Sequence, residues 1–195
     1  MQGASKHTKP ASAGFLLGAI NDLVRQNRLL HSLTVADCAL VERSGLPTIA
    51  VNSSWQMARF ADVIYAADAG WWDHNQHLID VPADRWSSYQ SADTKYGINR
   101  HRVPNQPHNS GMRAIQFAIE RGAARVLLLG YDCSVKGGTH WHGDHASTKN
   151  PDAKRCAMWL QQFAMIDRKQ TEIINCSRET ALTCFPRMTL EQALC

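Results

Sequence analysis

The feature that most constrains this chain is Arg125-Val-Leu-Leu-Leu-Gly130, a short apolar run without polar alternation. A strand with one wet face alternates in polarity. A strand that is apolar at every position is covered on both faces, as in a parallel sheet flanked by helices. Just upstream, Met112, Ala114, Ile115, Ala118 and Ile119 recur at helical spacing, and Gly122 is a suitable stop. A helix over 110–122 therefore feeds a buried strand that ends at Gly130-Tyr131-Asp132. Polar residues crowd in directly afterwards: Lys136, two glycines, His140, His142, Asp144 and His145. Ligands of open α/β sheets bind beyond the carboxyl ends of the strands, so the sequence places its working site here.

The same grammar recurs along the chain. Thr48-Ile-Ala-Val-Asn52 and Asp62-Val-Ile-Tyr-Ala-Ala-Asp68 read as strands that end in polar side chains, and Thr171 to Cys176 reads as a last strand. Tyr96 to Val103 is expected to hold a short strand, and residues 82–96 to form a turn-rich loop. Helices are expected over Gly14 to Leu30, over Val35 to Arg43 behind the cap Ser32-Leu-Thr34, and over Asp152 to Lys169. A terminal turn over 188–194 takes Thr189 as its cap. Strands alternating with helices predict a three-layer α/β fold, Rossmann-like, with a mainly parallel sheet.

With 195 residues the chain suits one domain with a sizeable core. The net charge of +4 comes without a block of like charges, so a dedicated nucleic-acid-binding arm is not indicated. Six cysteines are dispersed without a CxxC pair, which fits thiols in a reducing, cytoplasmic setting. The apolar runs fall far short of a membrane span.

Residues Thr139 to His145 spell T-H-W-H-G-D-H, and two chemistries suit them. The run matches the HxHxDH signature of metallo-β-lactamase-fold hydrolases, in which imidazoles and a carboxylate hold zinc and activate water. Such sites draw further ligands from downstream, yet all nine histidines of this chain lie at or before His145. In the other chemistry one histidine is a general base. An imidazole titrating near ~6.5 takes a proton from a hydroxyl at neutral pH. Asn109-Ser110-Gly111 opens the helix before the buried strand, either as a plain cap or, because a helix start presents free N–H groups, as a seat for a phosphate. Trp71 and Trp72 either stack on a base or sugar or belong to the core.

Taken together, these residues resemble a family. The run from Asn109 to Asp132 is similar to the corresponding run of bacterial CMP-sialic-acid-dependent sialyltransferases. There a T/S-S-G helix leads into a strand ending G-x-D, and a G-H-S helix start follows. Here Gly143-Asp-His145-Ala-Ser147 stands in the equivalent place. The chain resembles more closely the Rossmann-like proteins of tailed phages and prophages. The matching residues are Ala50-Val-Asn52 with Trp55, Ala61 to Trp72, Asn109 to Gly111 and Gly138 to His145. The archaeal pterin diphosphokinase-like group is a wider relative.

The resemblance implies transfer of a sugar or related group from a nucleotide donor to a hydroxyl, on a glycan or a modified DNA base, with no metal cofactor. It implies that Asn52, Ser110 and Gly111 hold the donor, with Asp68 and Asn109 beside them, and that Tyr131 and Asp132 border its phosphate or sugar. His145 is the implied base, with His142 and His140 as rivals. The family's opening strand and G-x-G-P-S-L loop have no match, since Ser32-Leu-Thr34 gives only the tail. Residues 1–31 are thus expected to be a divergent segment ahead of a domain at 32–195. Two other functions stay open: a zinc hydrolase using His140, His142, Asp144 and His145, and a non-catalytic nucleotide-binding or phage-assembly module.

Overall fold

A computed structural model describes residues 14–18, 33–134 and 152–195. Its strands are β1 (Gly14–Gly18), β2 (Thr48–Val51), β3 (Val63–Tyr65), β4 (Asp84–Ser87), β5 (Asn99–Arg100), β6 (Arg125–Leu129) and β7 (Glu172–Asn175). Its helices are α1 (Val35–Ser44), α2 (Ala69–Asn75), α3 (Ala92–Tyr96), α4 (Ser110–Glu120), α5 (Ala153–Ala164) and α6 (Leu190–Leu194). Short 3-10 turns, Asn52–Gln56 and Gln76–Leu78, follow β2 and α2.

The strands form one seven-stranded sheet in the order β5-β4-β3-β2-β1-β6-β7, and every pairing is parallel. The chain steps outward from β1 to β5, then α4 carries it back across the sheet to β6 on the far side of β1. The order of strands therefore reverses between β1 and β6. In a doubly wound sheet such a switch point opens a crevice at the carboxyl ends of the two strands.

Two residue layers cover the sheet, and β6 shows why its sequence carries no alternation. Leu127 and Leu129 pack on one face with Val41, Trp72 and Leu190. Val126 and Leu128 pack on the other with Met112, Ile115, Phe117 and Phe163. Thus α1, α2, α3 and α6 cover one face, and α4 and α5 the other. Each fully buried aliphatic side chain stabilises the fold by roughly 1.5–3 kcal/mol.

Two expectations need correction. The stretch Gly14 to Leu30 does not begin as a helix, because Gly14–Gly18 is β1, paired with both β2 and β6. The central strand is present, and a boundary at residue 31 would cut through the sheet. Short apolar runs such as Phe15-Leu-Leu17 fit either period, and here the empty place between two parallel neighbours decides the outcome. Residues 82–96 are not simply loop, since they contain β4 and α3. Asp84-Arg-Trp-Ser87 lacks an apolar run because β4 lies near the sheet edge, with Trp86 alone packing its ring on Phe117 at 5.0 Å. The Trp71–Trp72 pair is core: both rings are buried, edge to face at 4.9 Å. Their indole N–H groups donate to Ser53 Oγ (3.2 Å) and the Ala66 carbonyl (2.9 Å).

Candidate functional site at the carboxyl edge of the sheet

The start of α4 is where the strand ends meet. Asn109 caps it, accepting from the Met112 N–H at 2.8 Å through Oδ1. The first N–H groups of a helix have no intrahelical acceptor. With Met112 capped and Arg113 bonded to the Asn109 carbonyl, the Ser110 and Gly111 N–H groups are the ones left for a ligand. The Ser110 hydroxyl is committed to the protein. It accepts from the Ala67 N–H at 3.0 Å and donates to Asp68 Oδ2 at 3.2 Å, tying α4 to the end of β3. Ser110 is buried and Asp68 exposed. What the helix start can offer a ligand is therefore its backbone N–H groups, while its serine holds the helix in place.

The end of β6 closes the other side. Gly130 has a φ of 75°, a left-handed turn that lets the chain leave the strand sharply. Tyr131 then turns inward and has no exposed surface. Its N–H donates to Ser177 Oγ at 2.9 Å, its carbonyl accepts from Thr180 Oγ1 at 2.5 Å, and its hydroxyl reaches the Gly111 carbonyl at 3.4 Å. Burial drives its phenol far above the usual range. Tyr131 is thus enclosed by the protein, with its hydroxyl set against the backbone of Gly111. Asp132 follows, half-buried, and its carbonyl accepts from the Ala181 N–H at 2.8 Å.

Asn52 sits at the end of β2, the neighbour of central β1. Its backbone is left-handed, with φ of 52°, a region that asparagine enters more readily than other side chains. Its Oδ1 is buried and has no hydrogen-bond partner. An unsatisfied buried acceptor costs about 1–3 kcal/mol, so the Asn52 amide oxygen is free to accept from a group that enters there.

The structure thus brings Asp68, Asn109, Ser110, Gly111 and Tyr131 together around one helix start and sets Asn52 at a strand end of the same sheet edge. His140, His142, Asp144 and His145 lie outside the described residues. No group of three or more potential metal ligands occurs among the described residues.

Two polar features carried no motif in the sequence. Gln162 of α5 is buried; its Oε1 accepts from Asn109 Nδ2 at 3.0 Å, while its Nε2 has no partner. Its signal is a lone polar residue on the apolar face of a helix. His101, just past β5, is buried between Tyr65 and Glu120. Its Nδ1 lies 2.6 Å from the Tyr65 hydroxyl and its Nε2 3.0 Å from Glu120 Oε2. An ionised carboxylate only accepts, so Nε2 carries the proton and Nδ1 accepts from Tyr65. Burial holds the imidazole below its ordinary pKa, against the opposing pull of Glu120. Close by, buried Arg113 donates to the Pro104 carbonyl at 2.7 Å and to Gln116 Oε1 at 3.0 Å, pinning the connector that leads into α4.

Sheet order and helices on both faces define a Rossmann-like α/β protein. No family model, no curated protein and no solved structure matches the chain. Among the described residues no helix is long and apolar enough to cross a membrane.

Proposed function

We propose that this chain binds a nucleotide-activated donor at the carboxyl edge of its sheet and transfers the activated sugar, or a related group, to a hydroxyl. The reading is that of a sialyltransferase-like enzyme of phage or prophage type working in the cytoplasm of the host. The observation that carries it is Asn52, a left-handed residue at a strand end with a buried, unpartnered Oδ1. An amide oxygen there suits an N–H or O–H donor, which a nucleobase or a ribose supplies. The Ser110 and Gly111 N–H groups, at the positive end of α4, suit the donor phosphate. His145, with His142 and His140 as rivals, takes the acceptor hydroxyl proton. The acceptor oxygen then bonds to the donor carbon, and the nucleotide leaves with the electron pair of the broken C–O bond.

Thermal unfolding in the presence of CMP, CDP, UDP, GDP and AMP tests the reading. A ligand at a hundred times its dissociation constant adds about 2.7 kcal/mol, which raises the midpoint of a domain this size by about 5–10 °C. One nucleotide should give that rise in the native chain and not in Asn52→Gly, which keeps the left-handed backbone and loses the amide. No response to any nucleotide, or an equal response in Asn52→Gly, would count against the proposal.

A further inference from the structure

A separate cavity of about 510 Å³ opens past the carboxyl end of β7, bounded by the start of α1, the β7 exit and the segment leading into α6. Pockets of this size in α/β proteins hold small molecules, with an apolar lining and a few placed polar groups. The polar groups here are placed by the fold. Residues 186–188 run alongside the end of β7, where the Asn175 N–H donates to the Pro186 carbonyl at 2.8 Å. That pairing fixes the backbone of Arg187. Its Nη2 then donates to the carbonyls of Ser177 (2.9 Å) and Arg178 (2.7 Å), which fixes the guanidinium as well.

The charges in the cavity are unequally occupied. Arg178 forms two 2.7 Å bonds to the buried Asp37 and is neutralised. Among the described residues Arg187 has no carboxylate within ion-pair distance, and neither does Glu191 have a cation. Both line the cavity, together with Met188, which is 41% exposed. A guanidinium held by two carbonyls has little freedom left to lose when it binds a carboxylate. Glu191 disfavours a simple anion and favours a ligand that also brings a cation.

We infer that this cavity binds a small zwitterion of the α-amino-acid type, with its carboxylate on Arg187, its ammonium on Glu191 and its apolar side chain over Met188. The site stands apart from Asn52 and α4, and it holds whether or not the nucleotide reading does. Three probes share one apolar body and differ in charge: leucine, N-acetylleucine and leucinamide. Titration of the isotope-labelled full chain, followed by amide NMR, should give saturable shifts at Ser177, Arg187 and Gln192. Leucine should bind about tenfold tighter than either single-charge probe, as expected for one charge-assisted hydrogen bond. Arg187→Gln should lose the leucine and N-acetylleucine responses. Glu191→Gln should weaken leucine while N-acetylleucine binds as tightly as before or more tightly, a crossed pattern that partial unfolding does not produce. No saturable shift with leucine, equal affinity for leucine and N-acetylleucine, or indifference to both substitutions would overturn the inference.

Discussion

Ser110→Ala separates a residue that holds a helix from one that holds a ligand. The serine oxygen bridges two elements, accepting from the Ala67 N–H at 3.0 Å and donating to Asp68 Oδ2 at 3.2 Å. Both Ala67 and Ser110 are buried. In the variant the Ala67 N–H has no acceptor, which costs about 1–3 kcal/mol. Losing the bond to exposed Asp68 adds little, because water takes its place. Alanine returns roughly 0.5 kcal/mol through its better helix propensity. The net loss is about 1.5 kcal/mol, or a fall of about 3–6 °C in the unfolding midpoint at this chain length. Urea unfolding of the ligand-free protein measures it. Nucleotide affinity should drop only a few-fold, as the Ser110 and Gly111 N–H groups shift. Unchanged stability with affinity reduced a hundredfold would refute the reasoning, since the hydroxyl would then serve the ligand and not the Ala67–Asp68 bridge.

Other outcomes follow from charges and burial. His101 is held neutral in the fold by burial, so the unfolded chain takes up its proton more readily. The stability tied to its neutral form is complete above about pH 6.5 and lost as pH falls below that; urea titrations from pH 8 to 5 should slope accordingly, and less so for His101→Gln. Asp37 completes the capping box of α1 by accepting from the Thr34 N–H, and pairs with Arg178 across 141 positions of sequence. A double-mutant cycle on Asp37→Ala and Arg178→Gln should return a coupling of about 1–2 kcal/mol, discounted because Arg178 is half-exposed. Burial pushes the Cys38 thiol up to about 11 and Cys176 to about 12, whereas Cys195 is exposed. At pH 8 an aromatic disulfide reagent should label Cys195 first and leave Cys38 and Cys176 untouched until denaturant is added.

What the sequence reveals depends on how many layers of chemistry a segment serves. Residues 126–129 are buried on both faces, so composition alone marks β6 as an inner parallel strand. Thr34, Asn109 and Thr189 are legible as caps because a short polar side chain ahead of an apolar periodicity has one common use. β1 is not legible, since five residues without β-branching or a following glycine motif fit helix and strand equally. β4 is hidden because its place beside the short edge strand β5 relaxes the demand for apolar residues. At the site, Asn52 and the Asn109–Gly111 start are readable from their position at element ends. The inward turn of Tyr131 and the bridging role of Ser110 depend on partners 20 to 46 residues away along the chain, which no local pattern encodes. The same is true of Arg187, whose meaning comes from the carbonyls that hold it.

The central claim is that a nucleotide donor sits at the carboxyl edge of the sheet, against Asn52 and the start of α4. Amide NMR of the labelled chain, titrated with whichever nucleotide raises the unfolding midpoint, or with CMP if none does, tests it most directly. The account predicts the largest shifts at Asn52, Ser110 and Gly111, with the Asn52 side-chain amide moving in step. Shifts confined to other parts of the molecule, or none at saturating nucleotide, would contradict it.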